Sequence, residues 1–151
     1  MRIETCSTEI LDPWVALRCA LWPDEDRETM AREAPGILGR PDMLVLVARE
    51  SEAVIGFAEA SVRRDYVNGC ETSPVAFVEG IYVVPEHRRL GIAGALIAAI
   101  EQWARDRGLH ELASDALLEN SQSHAMHRAL GFSETERVIY FRKPLKTAAS
   151  A

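Results

Sequence analysis

The sequence predicts an α/β fold: one domain in which a mixed sheet is covered by helices. Two observations support this prediction. The chain has 151 residues and is 48% hydrophobic, which is enough for one domain with a substantial core and too little for two. Apolar and amphipathic segments also alternate along it in the order helices, strands, helix, strand, helix and strand. We therefore expect a single domain over residues 1–145 and a disordered tail over residues 146–151.

The first elements are two helices. Apolar side chains lie near helical spacing over residues 8–22, and Pro13 is close enough to the first turn to be tolerated. Residues 24–38 open with acidic side chains, which favour a helix N-terminus. We expect Pro35 and Gly36 to stop this second helix, because proline and glycine commonly end helices.

The remaining elements begin with two apolar strands, which a short polar turn joins into a hairpin. A strand, a long helix with one apolar face, a strand, a short helix closed by glycine and a last strand follow. In chain order, these elements are predicted over residues 43–50, 53–65, 75–85, 91–107, 110–117, 120–130 and 133–145.

Composition argues against several classes of protein. A net charge of −6 is unfavourable for a nucleic-acid partner and suits a cationic one. The three cysteines, Cys6, Cys19 and Cys70, are widely spaced, which fits free thiols in a reducing compartment better than disulfides. The histidines show no metal-binding spacing, and no apolar run of about 18 residues or leader segment is present. We expect a cytoplasmic protein that uses neither metal nor membrane.

The junction between the strand 75–85 and the helix 91–107 carries the first functional signal. Two arginines precede a glycine-containing helix start there. A helix N-terminus has unpaired N–H groups and a partial positive charge, and glycine lets an anion approach the backbone. This pattern predicts a phosphate or pyrophosphate ligand. The alternative is that Gly91 only permits a tight connection. The P-loop and the dinucleotide-binding motif are both excluded, because their residues are absent.

The stretch Arg88-Arg89-Leu90-Gly91-Ile92-Ala93 resembles the pyrophosphate loop of the GNAT acetyltransferases. The following helix and the segment "ENSQSHAMHRALGF" extend the resemblance over most of the chain. It implies the GNAT fold, a mixed, mostly antiparallel sheet with a splayed central strand, and acetyl-CoA as co-substrate. The implied acetyl-CoA contacts are the backbone of Ile81, Tyr82 and Val83, the loop residues Arg88, Arg89, Leu90, Gly91, Ile92, Ala93 and Gly94, and the side chains of Asn120 and His127.

His127 departs from the GNAT pattern. The family often has a tyrosine at this position, which protonates the leaving thiolate. A histidine is able to donate a proton near neutral pH, and it is equally able to be a helix residue with a solvated edge. With Asn120 as a pantetheine contact, the thiolate has the further option of leaving to water.

A second resemblance concerns the acceptor. The string "DYVNGC", together with "ALWP", "LASDALLEN" and "GFSETERVIYFRK", is similar to the short chromosomal aminoglycoside 6′-N-acetyltransferases over nearly the whole chain. It implies aminoglycoside contacts at Trp22, Tyr66, Glu79, Asp115 and Glu136. A family histidine is replaced here by Glu25, which leaves the binding pose at that edge open. The resemblance also implies a homodimer with strands paired across subunits and with shared acceptor contacts.

The carboxylates suit an acceptor that, like an aminoglycoside, carries several ammonium groups. Only a neutral amine attacks a thioester, so the site needs acids that hold cations and one that accepts a proton. Asp115 follows an apolar strand at the rim of the sheet, and we expect it to be the base, directly or through water, with Glu79 as alternative or partner. Capping by Asp115, and solvated positions for Glu79 and Glu136, are the structural alternatives. Trp22 and Tyr66 are alternatively core aromatics.

The predicted mechanism is direct transfer in a ternary complex. The 6′-amine attacks the acetyl carbonyl, and the backbone N–H of Tyr82 stabilises the oxyanion. Cys70 beside the acceptor loop is the one candidate for a covalent route. Two other functions stay open: acetylation of another amine, such as a polyamine, an amino acid or a protein N-terminus, and a non-catalytic acyl-CoA sensor.

Overall fold

The computed structural model describes residues 1–148 as one five-stranded sheet with four α-helices, in the strand order β1-β2-β3-β4-β5. The strands are β1 (Arg2–Thr5), β2 (Met43–Glu50), β3 (Ala53–Arg63), β4 (Val75–Val83) and β5 (Leu112–Ala113). The helices are α1 (Leu11–Leu21), α2 (Arg27–Leu38), α3 (Ile92–Asp106) and α4 (Ser121–Ala129). Strands β1 to β4 pair in antiparallel fashion and β5 is parallel to β4, so the sheet is mixed and mostly antiparallel, as predicted.

The two faces of the sheet carry separate apolar cores. One face packs against α1 and α2, with Trp14, Met30 and Phe57 among the buried side chains. The other face packs against α3, whose Leu96 and Ile100 are fully buried. Successive residues along a strand point to opposite faces, so neighbouring positions of β3 contribute to different cores. Among the described residues, no helix is long and apolar enough to cross a membrane.

Strands β4 and β5 separate soon after they meet. Their register holds only two residue pairs, Ala76 with Leu112 and Phe77 with Ala113. Beyond Phe77, β4 continues for six residues to Val83 without a β5 partner. The backbone of this second half of β4 therefore faces an opening in the sheet, which is the splay that the resemblance predicts.

A β-bulge interrupts the pairing of β3 with β4 at one position. Glu59 pairs with Gly80 and Ala60 pairs with Val78, which leaves Glu79 as an extra residue of β4. Such a residue breaks the alternation of the strand and redirects its side chain. As a result, Glu79 and Gly80 both face α1, although they are neighbours in sequence.

One strand of the structure was not predicted, and two predicted elements end at clearly different residues. Strand β1 was not predicted, because its four residues carry too little apolar pattern. Helix α2 continues through Pro35 to Leu38 instead of stopping there, since Ile37 and Leu38 pack on the core and hold the last turn. The strand predicted over residues 110–117 is reduced to Leu112–Ala113 by the divergence from β4.

The last predicted strand, over residues 133–145, is wrong for the single chain. Residues 132–147 have no regular secondary structure and pair with no strand within the described part of the molecule. Ile139, Tyr140 and Phe141 are 80%, 85% and 91% exposed. A strand needs a neighbouring edge for its hydrogen bonds, and the chain places none beside this segment. The predicted tail over 146–151 falls partly outside the described residues, which end at residue 148.

Candidate active site

A cavity of about 590 Å³ opens between α1, α2 and the sheet face formed by β3 and β4. This volume lies within the range of small-molecule sites, about 300–1,000 Å³. Five carboxylates and two arginines line it, so its wall is acidic: Glu25, Glu33, Asp42, Glu59 and Glu79, with Arg18 and Arg40. The cavity therefore suits a small polycation.

A buried ion pair forms the floor of this cavity. Arg18 of α1 donates to Glu59 of β3 at 2.7 Å and 3.2 Å, and the indole N–H of Trp14 donates to the same carboxylate at 3.2 Å. The side chains of Arg18 and Glu59 are only 12% and 2% exposed. Burial raises the pKa of Glu59, while Arg18 and Trp14 act in the opposite direction. Glu59 is thus held by the protein on every side.

Trp22 packs on Arg18 and forms one wall of the cavity. The Arg18 guanidinium stacks on its ring, 5.1 Å from the centroid, and Phe57 meets it edge-on at 6.2 Å. The ring reaches the sheet because Gly80 has no side chain. A methyl group at position 80 would lie 2.6 Å from two ring carbons of Trp22, closer than any real contact. The predicted acceptor residue Trp22 therefore lines the cavity, and Gly80 makes room for it.

Glu79 occupies the open side of the same cavity. Arg63 of β3 donates to both of its oxygens, at 3.0 Å and 2.8 Å, and the hydroxyl of Ser61 donates at 2.5 Å. The Arg63 guanidinium also lies over the ring of Phe77, 3.4 Å from its centroid. The side chains of Arg63 and Glu79 are 41% and 30% exposed. The predicted acceptor carboxylate is present in the cavity, but a resident cation already occupies it.

Asp115 lies near this pair, two residues after the end of β5. The hydrogen bonds that Arg63 donates to Glu79 raise the pKa of Arg63, and the negative charge of Asp115 acts in the same direction. Among the described residues, Asp115 has no hydrogen bond or ion pair, and it is exposed. Asp115 does not cap a helix, because Asn120 caps α4. The predicted base is thus unpaired among the described residues, and its charge acts on Arg63.

The other predicted acceptor residues are spread more widely. Glu25 lines the cavity from the turn after α1 and is exposed. Tyr66 lies in the loop after β3 and is 67% exposed, so it is not a core aromatic. Glu136 is exposed in the segment that follows α4. The single chain therefore brings Trp22, Glu25 and Glu79 together and leaves Tyr66 and Glu136 outside the cavity.

The predicted phosphate loop has the geometry that anion binding needs. Arg89 and Gly91 both have left-handed backbone angles, with φ of 64° and 82°. Gly91 is the N-cap of α3 and supplies no side-chain cap, so the first backbone N–H groups of the helix are left for a ligand. Alternating right- and left-handed residues form a concave row of amides that binds anions. These residues fit the diphosphate of acetyl-CoA.

One loop arginine is anchored on the strand before it. Arg88 donates to the backbone carbonyl of Val83 at 2.8 Å, and its guanidinium lies 5.3 Å from the ring centroid of Tyr82. Leu90 is exposed beside it, while Ile92 is buried under the helix start. The loop is thereby fixed at the end of the splayed part of β4, where Ile81, Tyr82 and Val83 lack a β5 neighbour.

His127 lies on α4 and is held at both ring nitrogens. Its Nδ1 lies 2.7 Å from the backbone carbonyl of Ser123, and its Nε2 lies 2.8 Å from the hydroxyl of Ser114. A carbonyl only accepts, so Nδ1 carries a proton, and Nε2 shares a second hydrogen bond with the hydroxyl of Ser114. Asn120 caps the same helix by accepting from the backbone N–H of Ser123 at 3.1 Å. Ser114 follows the last residue of β5 directly, at the edge of the splay.

The covalent and metal alternatives receive little support. Burial raises the pKa of the Cys70 thiol, and the negative charge of Glu111 raises it further, so the reactive thiolate is disfavoured. Within residues 1–148, no group of three or more His, Cys, Asp and Glu side chains is arranged to hold a metal ion.

The sequence reasoning missed five residues that shape the site. Two are the buried pair Arg18 and Glu59, two are Ser61 and Arg63 around Glu79, and one is Ser114 beside His127. One signal was available: Glu59 is an acid inside an apolar strand, the same feature that singled out Glu79. The pairing of Arg63 with Glu79 had no such signal, because it depends on the bulge in β4.

Comparisons with known proteins show the family to which this chain belongs. The model of the "Acetyltransferase (GNAT) family" matches residues 8–132. An aminoglycoside N(6')-acetyltransferase type 1 from Acinetobacter baumannii is 49% identical over 144 residues, which cover 95% of this chain and 98% of the relative. The apo crystal structure of aminoglycoside antibiotic 6'-N-acetyltransferase AAC(6')-IG from Acinetobacter haemolyticus superposes with a TM-score of 0.93 at 46% identity, over 97% of this chain and 100% of that chain.

A second solved structure carries a ligand. AAC(6')-Iy in complex with the bisubstrate analog CoA-S-monomethyl-acetylneamine is 43% identical, with a TM-score of 0.91 over 95% of this chain and 98% of that chain. The family and the fold predicted from the sequence are both confirmed by these matches. The family model covers most of the chain and the relatives cover nearly all of it, so the chain belongs to the GNAT acetyltransferase family.

Proposed function

We propose that this enzyme transfers the acetyl group of acetyl-CoA to the 6′-amino group of aminoglycosides and so confers aminoglycoside resistance. The observation that carries this proposal is the acidic cavity beside the splayed strand, with Trp22 as its wall and Glu79 at its open side. Relatives named as aminoglycoside N(6')-acetyltransferases, at 45–50% identity over almost the whole chain, support it. The AAC(6')-Iy complex supports a site that takes both substrates at once.

The donor is held by backbone groups in this proposal. The amides from Arg88 to Gly94 bind the diphosphate, and the exposed backbone edge of Ile81, Tyr82 and Val83 pairs with the pantetheine arm. The amide group of Asn120 offers its NH₂ to the same arm, because its oxygen is engaged as the cap of α4. This arrangement directs the thioester into the opening between β4 and β5, towards the acidic cavity.

Acetyl transfer then proceeds by direct attack. Asp115, directly or through one water, takes a proton from the 6′-ammonium, with Glu79 as its partner in holding the acceptor. The free amine attacks the acetyl carbonyl, and the N–H of Tyr82 stabilises the oxyanion. The C–S bond breaks as the amide forms, and the thiolate of CoA takes, through water, the second proton that the attacking nitrogen releases. Ser114, which shares a hydrogen bond with His127 at 2.8 Å, lies at the edge of the splay, and we place this pair on the side of that thiolate.

A steady-state assay of CoA thiol release tests this function. We expect turnover with acetyl-CoA and kanamycin or tobramycin, and none with an aminoglycoside that has a 6′-hydroxyl group. Turnover on spermidine alone would keep the donor site but replace the acceptor. No turnover on any of these amines, with acetyl-CoA still bound in calorimetry, would contradict the proposal in favour of another acceptor or an acyl-CoA sensor.

The acceptor site is completed by a second copy of the chain in our proposal. The apolar side chains of the segment 133–145 are exposed, with Tyr140, Phe141 and Leu145 each at least 85% exposed, which is unusual for a folded monomer. Strand β5 is an edge strand that offers unpaired backbone groups. Exchange of this segment between two copies would add a strand beside β5 and bring Glu136 towards the partner's cavity. We also place the enzyme in the cytoplasm, where acetyl-CoA is available.

Sedimentation analysis of the full chain tests the homodimer. A homodimer at micromolar concentration, converted to monomer by Tyr140→Asp with Phe141→Asp, is the expected result. A matched double variant in an exposed helix, Glu28→Asp with Arg32→Lys, should remain dimeric. A monomeric wild-type chain with full activity would contradict the shared site.

A further inference from the structure

We propose that Arg63 is a specificity-determining residue: its guanidinium occupies the acceptor carboxylate Glu79 as a resident cation, and only an acceptor with several ammonium groups displaces it. This inference rests on the proposed function and adds to it a residue that selects the acceptor. The geometry behind it is a bidentate pair, with Arg63 Nε 3.0 Å and Nη2 2.8 Å from the two oxygens of Glu79.

The pair is built so that it can open. Arg63 is the last residue of β3, and its side chain is 41% exposed, so its guanidinium has water within reach when it leaves Glu79. The neighbouring pair Arg18–Glu59 has the same chemistry but is almost fully buried, with a third donor from Trp14. A partly exposed ion pair contributes little to stability, whereas removing one partner of a buried pair is strongly destabilising. Of the two pairs, only Arg63–Glu79 can therefore exchange its cation for a ligand at a small cost in free energy.

Glu79 keeps its position when Arg63 leaves. The hydroxyl of Ser61 donates to Oε1 of Glu79 at 2.5 Å, and the bulge in β4 fixes the direction of the side chain. The carboxylate therefore stays in the cavity, ready for an ammonium group. Arg63 itself has two other attractions, the ring of Phe77 at 3.4 Å and the negative charge of Asp115. A displaced guanidinium has somewhere to go without unfolding the strand end.

The exchange discriminates between acceptors by their number of charges. An acceptor with one ammonium group offers a single point charge against a guanidinium that makes two parallel hydrogen bonds, so it competes poorly. A polycation is first held by other carboxylates of the cavity, such as Glu25, Glu33 and Asp42, which raises the effective concentration of its next ammonium at Glu79. Arg63 therefore protects the site against simple cellular amines while admitting a polyamine sugar.

The test compares Arg63→Gln with Arg64→Gln. The two variants lose the same charge one residue apart, but Arg64 is exposed and its side chain has no hydrogen bond or ion pair within the described chain. The readout is kcat/KM for kanamycin and for the monoamine 6-amino-6-deoxyglucose. We expect Arg63→Gln to lower the KM for kanamycin by about fivefold and to raise kcat/KM for the monoamine by a larger factor. The ratio of kcat/KM for kanamycin to kcat/KM for the monoamine should therefore decrease. Arg64→Gln should leave the ratio unchanged.

A double-mutant cycle isolates the pair. In a Glu79→Gln background, Arg63→Gln should no longer lower the KM for kanamycin, because the contested carboxylate is absent. Arg63→Lys should keep part of the wild-type selectivity. The inference is overturned if Arg63→Gln raises the KM or leaves the selectivity ratio as it is in Arg64→Gln, since Arg63 would then support the acceptor or play no part.

Calorimetry separates this inference from the proposed function. If the wild-type chain does not acetylate kanamycin, the proposed function fails, and the dissociation constants of the two amines without acetyl-CoA still decide the role of Arg63. A lower dissociation constant in Arg63→Gln than in Arg64→Gln, for both amines and more so for the monoamine, supports the resident cation. Equal or weaker binding in Arg63→Gln contradicts it.

Discussion

Two arginine–carboxylate pairs lie side by side in the cavity, and they differ mainly in burial. Arg18 and Glu59 are 12% and 2% exposed, and Arg63 and Glu79 are 41% and 30% exposed. Both pairs make two hydrogen bonds between guanidinium and carboxylate, and both carboxylates lie on the same sheet face. The first pair is sealed under Trp22, while the second opens to the cavity. In our proposal, the same pair of side-chain types therefore stabilises the fold at one position and exchanges with a ligand at the other.

The difference comes from the backbone. Glu59 pairs with Gly80 directly beside the bulge, and its side chain enters the core between α1 and the sheet. Glu79 is the extra residue of the bulge in β4, which turns it towards the cavity opening. In our proposal, this single inserted residue separates a carboxylate that holds the fold from one that exchanges Arg63 for an ammonium group of the substrate.

Removal of Glu59 should have the largest effect on stability. Glu59→Ala leaves the Arg18 guanidinium buried without its carboxylate and the Trp14 indole without an acceptor, which costs about 3–5 kcal/mol. Urea unfolding followed by circular dichroism measures this loss. A change below about 1 kcal/mol in the free energy of unfolding would show that the buried pair stabilises the fold no more than the partly exposed pair.

Gly80→Ala should disturb the wall between the two pairs. The added methyl group would overlap the ring of Trp22, and the resulting shift costs about 1–3 kcal/mol and weakens acceptor binding. Gly36→Ala is the matched control, because a Cβ there meets no atom within 4 Å and alanine favours the helix. We expect thermal unfolding to occur at a lower temperature in the first variant and at an equal or higher one in the second.

Glu79→Gln should separate function from stability. Because the Arg63–Glu79 pair is partly exposed, its loss should change the free energy of unfolding by less than about 1 kcal/mol. The KM for kanamycin should rise about tenfold or more, because a charge-assisted contact with the acceptor is lost. Glu28→Gln, exposed on α2 and outside the cavity, controls for net charge. A large loss of stability with unchanged KM would reverse the roles that we assign.

Glu111 offers a third carboxylate, held by amides instead of a cation. The hydroxyl and the backbone N–H of Thr72 lower its pKa, together with the N–H of Glu71. A carboxyl group with a lowered pKa in the folded state contributes stability above its ordinary pKa and loses it as the pH falls through the folded value. We expect Glu111→Gln to weaken the acid dependence of unfolding slightly. An unchanged pH profile would show that this exposed contact contributes nothing.

Much of the fold was predictable because its signals are local. The apolar face of α3, the glycine before it and the hairpin of β2 and β3 were all read from adjacent residues, and the structure agrees. The donor loop followed from the same reasoning, since Gly91 has the left-handed conformation that glycine favours.

The pairings inside the acceptor site were not predictable in this way. Register between β3 and β4 decides that Arg63 reaches Glu79, and a bulge that no local motif announces sets that register. The segment 133–145 shows the opposite failure: its pattern is that of a strand, but the single chain offers it no partner. The local sequence pattern indicates which segments form strands, whereas the long-range geometry of the fold determines which segment each strand pairs with.

The most direct measurement is a crystal structure of the enzyme with kanamycin and CoA. We expect that a drug ammonium group lies at hydrogen-bonding distance from Glu79, about 3 Å, while Arg63 has moved away and the Arg18–Glu59 pair is unchanged. A structure in which Arg63 keeps both hydrogen bonds to Glu79, with the drug bound elsewhere in the cavity, would contradict it.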